Sequence, residues 1–77
     1  MRKLGVGVLG VGEMGRRHAE NLRRLVPQAQ LVAVADVAAE RARQVATELE
    51  IENSYGSLED MLECKGLDAV VIALPYV

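Results

Sequence analysis

A glycine-rich turn, G-V-G-E-M-G at residues 10–15, constrains the fold of this 77-residue chain more than any other feature. It directly follows an apolar run at residues 3–9 that reads as a β-strand, and it opens a stretch with helical periodicity. A strand that ends in such a turn brings an anion to the N-terminus of the next helix. Unpaired N–H groups and the helix dipole favour negative charge there. The turn therefore predicts an α/β unit with a phosphate site at its first strand-helix junction.

Each glycine of the turn has a separate predicted role. Gly10 permits the tight turn, Gly12 lets a diphosphate approach the backbone without meeting a Cβ, and Gly15 lets the helix pack closely on the strand. Glu13 and Met14, which open the helix, are predicted to contact the same ligand. The alternative for this segment is a glycine-rich turn that binds another ligand or none.

A second apolar run, at residues 30–35, ends at Asp36, about 20 residues after the turn, as in dinucleotide-binding units. A carboxylate there accepts hydrogen bonds from both ribose hydroxyls of an adenosine, whereas a 2′-phosphate would meet like charge. Val37 and Ala38 follow with no arginine beside the acid, so NAD is the predicted cofactor. NADP is the alternative, because Arg41 can reach back from the next helix. Asp36 is also a candidate helix cap.

The remaining periodicity alternates between strands and helices. Strands are predicted over 3–9, 30–35, 53–55 and 68–74, and helices over 13–25, 38–50 and 58–64. This βαβαβαβ order predicts a Rossmann-like α/β fold with a parallel sheet of strand order 3-2-1-4. The first two helices share one face and the third crosses to the other. The switch point between strands 1 and 4 is therefore predicted to gather the glycine turn, Asp36, Val37, Ala73, Leu74 and Pro75.

Composition excludes several classes of protein. The net charge of −2 argues against nucleic-acid binding, and no apolar run is long enough to span a membrane. The chain has a single cysteine, Cys64, and no recognisable signal peptide, so a cytoplasmic location is expected. Cys64 has no histidine or cysteine at metal-ligand spacing and is interpreted as an inert helix residue, so no metal site is predicted.

The first predicted helix carries the one histidine of the chain, His18. Its spacing from Gly15 and Ala19 places it on the stripe expected to pack against the sheet, so a catalytic role is not predicted. Four arginines of the same helix are interpreted as a solvated face rather than an anion-binding patch: Arg16, Arg17, Arg23 and Arg24. No catalytic residue is predicted in this chain.

Four segments together carry a family resemblance: residues 7–18, 34–36, 55–62 and 68–75. They resemble the N-terminal part of the Gfo/Idh/MocA oxidoreductases, which are relatives of glucose-fructose oxidoreductase and inositol dehydrogenase. The resemblance implies an NAD(P)-dependent oxidoreductase that acts on a sugar, an inositol or a related hydroxyl. It also implies that the nicotinamide lies near the loop after the fourth strand.

The same resemblance implies how the domain is divided. Family members continue into two more strands, a Lys-Pro motif with the catalytic lysine, and a C-terminal α/β domain that holds substrate. Residues 1–77 are therefore expected to be the N-terminal portion of a dinucleotide-binding domain, incomplete relative to the full fold and without a substrate domain. A small-molecule substrate is expected to bind only to the full-length protein.

Two other classes remain as alternatives: a non-catalytic nucleotide-sensing module and an S-adenosylmethionine-binding methyltransferase. The methyltransferase is less favoured, because its glycine turn usually differs in spacing and binds no diphosphate. Self-association is also expected. The fourth predicted strand is apolar and lies at the edge of the sheet, where its backbone groups are free to pair with a partner.

Overall fold

A computed structural model describes residues 3–25 and 28–73, with the backbone alone described for Glu13, Met14 and Leu25. Four strands alternate with three helices: β1 (Leu4–Leu9), α1 (Glu13–Leu25), β2 (Ala29–Ala35), α2 (Ala39–Glu48), β3 (Asn53–Tyr55), α3 (Leu58–Met61) and β4 (Ala69–Ile72). Every predicted element is confirmed. The second and third helices are shorter than predicted, and α3 is a single turn.

The four strands form one parallel sheet in the order β3-β2-β1-β4. This is the predicted order. It follows from right-handed crossovers, which place the first two helices on one face and send the third across the other. All the carboxyl ends of the strands meet at one edge of the sheet, because parallel strands share a direction.

A bulge in β2 interrupts the alternation of its side chains between the two faces of the sheet. The pairing of β1 with β2 slips between Val6 and Gly7, which leaves Val32 without an opposite residue. The Asn53 side-chain amide donates a hydrogen bond to the Val32 carbonyl oxygen at 3.0 Å. Beyond the bulge, Val34 packs on the sheet face covered by α1 and α2. The sequence of β2 does not predict this change of register, because its apolar side chains can be buried on either face of the sheet.

The first core lies between the sheet and the two longer helices. Val8 of β1 and Val34 of β2 are fully buried there, in one cluster with Ala19 of α1 and with Ala42 and Val45 of α2. Alanines on the inner faces of both helices let them approach the strands closely. This packing holds the start of each helix next to the end of the strand before it.

The second core lies on the opposite face, under α3. Met61 has no solvent exposure and packs against Ala33 and Ala35 of β2. Ser57 is the N-cap of α3, and its hydroxyl oxygen accepts a hydrogen bond from the Asp60 N–H at 3.1 Å. A single capped turn therefore covers this face of the described sheet.

Helix α2 ends earlier than predicted because Glu50 adopts a left-handed conformation with φ of 58°. The Ile51 N–H donates to the Ala46 carbonyl at 2.7 Å, and the Glu50 N–H donates to the Thr47 carbonyl at 3.3 Å. This pair of bonds is a Schellman motif, which usually has glycine at the position of Glu50. The absence of that glycine explains why the sequence did not reveal the helix end.

The prediction that His18 packs against the sheet is wrong, because the structure leaves its side chain exposed. The face of α1 that contacts the sheet carries Gly15 and Ala19, which are buried, and Leu22, which is half-buried. His18 lies at the margin of this stripe. The stripe is narrow because small residues bring the helix close along a single line of contact.

Candidate functional site

The carboxyl ends of the strands bring together the segments that the sequence predicted to form a site. The Gly10 N–H donates to the Ala35 carbonyl at 2.8 Å, which ties the glycine turn to the end of β2. The Asp36 N–H donates to the Tyr55 carbonyl at 3.1 Å, and the Ala73 N–H donates to the last carbonyl of β1 at 2.9 Å. The glycine turn, Asp36 and Ala73 therefore lie together at the carboxyl edge of the sheet.

Two glycines of the turn are required by the fold itself. Gly10 has φ of 88°, a left-handed conformation that favours glycine. A Cβ added to Gly15 would overlap the carbonyl oxygen of Gly10 and would come within 3.5 Å of the Ala73 side chain. The predicted conformational roles of Gly10 and Gly15 are confirmed, because α1 starts so close to β1 that no side chain fits between them.

Gly12 differs from these two glycines. Among the described atoms, a Cβ added there would meet the Arg41 Nη1 atom alone, at 3.7 Å, which is an ordinary van der Waals distance. Packing therefore leaves open the space over Gly12. A glycine that the fold does not need, on an open surface at a helix start, fits a ligand that approaches the backbone closely.

The start of α1 offers backbone donors to this space. The first bond of the helix runs from the Arg16 N–H to the Gly12 carbonyl at 2.8 Å. The N–H groups of Glu13, Met14 and Gly15 precede it and have no carbonyl one turn earlier. Together with the positive end of the helix dipole, these donors suit an anionic group. The backbones of Glu13 and Met14 therefore carry two of these donors, and their contact with a ligand stays a prediction.

Asp36 is buried, with 7% of its surface exposed, and both its carboxylate oxygens bind backbone amides. Oδ1 accepts from the Ala38 N–H at 2.8 Å, an Asx-turn bond to the residue before α2. Ala38 is the N-cap of α2 and the helix has no side-chain cap hydrogen bond, so the capping interpretation of Asp36 is wrong. Oδ2 accepts from the Val11 N–H at 2.9 Å, a contact that sequence reasoning missed. The neighbouring Val37 is 92% exposed. Asp36 therefore links the end of β2 to both adjoining segments.

An open groove of about 390 Å³ separates the glycine turn from α2. Arg16, on one wall, pairs with Glu20 at 3.4 Å and with Glu48 at 3.1 Å. Arg41, on the other wall, makes no ion pair or hydrogen bond with the residues that the structure describes. The Arg41 guanidinium therefore lies beside Gly12 without an ion-pair partner among the described residues.

Several other residues considered in the sequence lie away from the glycine turn or outside the described residues. Cys64 follows α3 rather than lying in it, which corrects the interpretation of Cys64 as a helix residue. The neighbouring Cys64 side chain raises the pKa of Tyr55, and burial raises it further. The predicted contacts at Leu74 and Pro75 fall outside the described residues.

No helix within residues 3–25 and 28–73 is long and apolar enough to cross a membrane. The same residues contain no group of three or more histidine, cysteine or acidic side chains placed to hold a metal ion.

The parallel sheet, the glycine turn at its switch point and the acid at the end of β2 define a dinucleotide-binding α/β domain. The model of the oxidoreductase family with an NAD-binding Rossmann fold matches residues 4–76, and the chain belongs to this family. The predicted family, fold class and cofactor class are thereby confirmed. This match also removes the basis for the methyltransferase alternative.

Known relatives agree with this assignment. The chain is 48% identical over 68 residues to scyllo-inositol 2-dehydrogenase (NAD(+)) of Bacillus subtilis, a match covering 88% of this chain and 20% of that protein. It is 45% identical over 73 residues to inositol 2-dehydrogenase of Rubrobacter xylanophilus, covering 95% and 21%. Scyllo-inositol dehydrogenase from Lactobacillus casei, solved with NAD(H) and scyllo-inositol, superposes with a TM-score of 0.86 at 28% identity, covering 96% and 22%. The chain thus spans about a fifth of the length of these relatives.

Proposed function

We propose that this chain supplies the NAD-binding part of a dehydrogenase that transfers a hydride between the nicotinamide and a hydroxyl or carbonyl carbon of an inositol or related polyol. The observation that carries the proposal is the open backbone at Gly12, beside the unpaired amides at the start of α1. The substrate class is inferred from the relatives named for scyllo-inositol and inositol. When bound, the cofactor supplies the hydride acceptor or donor.

The residues of this chain bind and orient the dinucleotide in this proposal. The diphosphate lies over Gly12 and accepts hydrogen bonds from the first-turn amides of α1, including those of Glu13 and Met14. The adenosine ribose lies toward Asp36 and Val37. The nicotinamide end lies on the other side of the turn, toward Ala73, Leu74 and Pro75. Gly10 and Gly15 serve indirectly by holding the turn in shape.

The catalytic and substrate-binding groups belong, in this proposal, to parts of the protein beyond the region described. This chain matches about a fifth of each relative, so residues 1–77 are proposed to be the N-terminal portion of the dinucleotide-binding domain. None of the described side chains is assigned a catalytic role. The polyol would bind only to the full-length protein.

NAD is the proposed cofactor in preference to NADP. Asp36 carries a negative charge at the end of β2, which disfavours a 2′-phosphate. Arg41 limits this preference, because its uncompensated guanidinium lies beside Gly12 and attracts an anion. Asp36 disfavours a 2′-phosphate on the ribose and Arg41 favours it. The affinity for NAD relative to NADP therefore depends on the difference between these two electrostatic effects.

Location and assembly complete the proposal. We propose a cytoplasmic protein, because its cysteine, Cys64, is a free thiol, as is usual in a reducing compartment. We also propose that this chain self-associates through β4, one of the two outer strands of the described sheet. Ile72 of that strand is 60% exposed, so it presents an apolar side chain beside an open backbone edge.

Calorimetry with NADH and S-adenosylmethionine tests the binding function. NADH should bind the protein and S-adenosylmethionine should not, because the site is built around a diphosphate. Production of NADH from NAD and scyllo-inositol by the full-length protein then tests the reaction. Binding of S-adenosylmethionine without NADH would overturn the dinucleotide function. NADH binding without turnover of any polyol would favour the nucleotide-sensing module.

A further inference from the structure

We propose that Asp36 is a positioning residue for the diphosphate site as well as a partner of the ribose. Through its bond to the Val11 amide, the Asp36 carboxylate sets the position of the glycine turn. This inference deepens the proposed function and rests on it. It predicts that Asp36 affects the binding of a nucleotide that has no ribose hydroxyls to offer.

The first observation is how the base of the turn is held. Two successive amides face the end of β2: the Gly10 N–H donates to the Ala35 carbonyl at 2.8 Å, and the Val11 N–H donates to the Asp36 Oδ2 atom at 2.9 Å. Val11 is 2% exposed and Asp36 is 7% exposed, so water has little access to replace the second bond. Asp36 is the one described side chain for which the structure records a hydrogen bond to a backbone amide of the turn.

The second observation is that the carboxylate is engaged on both sides. Its Oδ1 atom accepts from the Ala38 N–H at 2.8 Å while Oδ2 holds Val11. An asparagine offers one accepting oxygen and one donating nitrogen, so it cannot satisfy both amides. An Asp36→Asn variant therefore leaves either the buried Val11 amide or the start of α2 without its partner.

The position of Val11 affects ligand binding because Val11 directly precedes the amides that are proposed to bind the diphosphate. Gly12 is the next residue, and its carbonyl accepts the first hydrogen bond of α1. A change in the position of Val11 therefore shifts the amides at the start of the helix. The diphosphate depends on the direction of those amides, so its affinity should fall even where no ribose contact exists.

A thermodynamic cycle with two nucleotides separates the two roles. ADP carries both ribose hydroxyls and 2′,3′-dideoxy-ADP carries neither, while the diphosphate is the same. Binding of each is measured calorimetrically for the parent protein, for Asp36→Asn and for the control Asp60→Asn. The control makes the same chemical change on an exposed residue of α3. We expect Asp36→Asn to weaken dideoxy-ADP about tenfold, the size of one unsatisfied buried amide, and Asp60→Asn to leave it unchanged.

A spectroscopic readout ties that loss to Val11. In Asp36→Asn, the amide resonance of Val11 should shift and its amide hydrogen should exchange faster with solvent. The amide resonances of β4 should not change. Should Asp36→Asn fail to fold, Asp36→Glu takes its place. Glutamate retains a ribose acceptor but holds its oxygens one methylene further out, so it should keep the ratio between the two nucleotides and weaken both.

The possible results test the positioning role of Asp36 separately from the proposed dinucleotide binding. If Asp36→Asn weakens ADP alone and dideoxy-ADP binds as in the parent, the positioning role is wrong and the dinucleotide function stands. If the parent protein binds neither NADH nor ADP, the proposed function is wrong and the inference falls with it. Parallel weakening of both nucleotides, with a shifted Val11 amide, supports the inference.

Discussion

Arg41 of α2 lies over Gly12 of the glycine turn, with its Nη1 atom 3.7 Å from the point that a Cβ of residue 12 would occupy. This proximity joins the phosphate turn to the helix that follows the acidic residue, although the two segments belong to different strand-helix units. A ligand that lies on Gly12 therefore meets the Arg41 guanidinium as well. The proposed diphosphate and ribose contacts consequently share one small surface.

We predict that Gly12→Val abolishes dinucleotide binding while the protein remains folded. The new side chain fills space that the structure leaves open, so the fold tolerates it, but the diphosphate loses its close approach. NADH affinity should fall at least about tenfold, because charge-assisted hydrogen bonds worth about 1.5–3 kcal/mol are lost. Calorimetry and circular dichroism measure the two effects.

Gly56→Ala is the matched control for this substitution. A Cβ at Gly56 would meet the Ala39 Cβ at 3.6 Å, an ordinary contact away from the turn, so binding and fold should both persist. If Gly12→Val bound NADH as well as the parent does, the turn would not be the diphosphate site.

We predict that the double change Asp36→Ser and Val37→Arg moves cofactor preference toward NADP. It removes the negative charge at the ribose and adds a cation at a position that is 92% exposed in the parent. The dissociation constant of NAD divided by that of NADP should rise about tenfold or more, as expected for one new charge-assisted contact. Arg41→Gln alone should lower that ratio, because it removes a cation that favours NADP. An unaltered ratio in the double variant would remove Asp36 from the ribose site.

We predict that the 77-residue chain by itself binds NAD without transferring a hydride. None of its residues is assigned a proton-transfer role, and the catalytic lysine implied by the family resemblance is expected in the rest of the protein. Incubation with NAD and scyllo-inositol should produce no NADH absorbance, whereas the full-length protein should produce it. Turnover by the short chain would show that a catalytic group lies within residues 1–77.

We predict that Met61→Ala destabilises the protein by about 2–5 kcal/mol, the usual cost of emptying a fully buried methionine site. Met61 is the residue of α3 that fills the second core, so its loss should loosen that helix from the sheet. The neighbouring Leu62 is 58% exposed, and Leu62→Ala should change stability by less than about 0.5 kcal/mol. Urea denaturation measures both variants. Equal effects would mean that α3 does not pack as described.

We predict that Ile72→Lys shifts the self-association of this chain toward monomer. Ile72 is 60% exposed on the outer strand, so a lysine there blocks pairing without entering a core. Val71 is a poorer position for the test, because it packs against the core under α1 and α2. Sedimentation across a concentration series measures the change. A parent chain that stays monomeric at high concentration would overturn the proposal.

Local sequence was sufficient to predict the order of elements and the place of the glycine turn at the end of β1. The glycine turn after an apolar run, and Asp36 after the next run, carry information in their spacing alone, and chain chirality then determines the strand order. His18 shows where this reasoning fails. Its spacing suits the buried stripe, but the width of that stripe depends on how closely α1 approaches the sheet.

The sequence by itself determined the alternation of strands and helices, the parallel topology, the place of the glycine-rich turn at the first strand-helix junction and the family. The tertiary structure alone decided that Asp36 binds Val11, that Arg41 lies over Gly12, that Val32 forms a bulge and that Glu50 ends α2. The physical reason is the separation along the chain over which each effect acts. Periodicity, turn chemistry and handedness act between near neighbours in the chain, whereas these contacts join residues whose separation is known only once the helices are packed on the sheet.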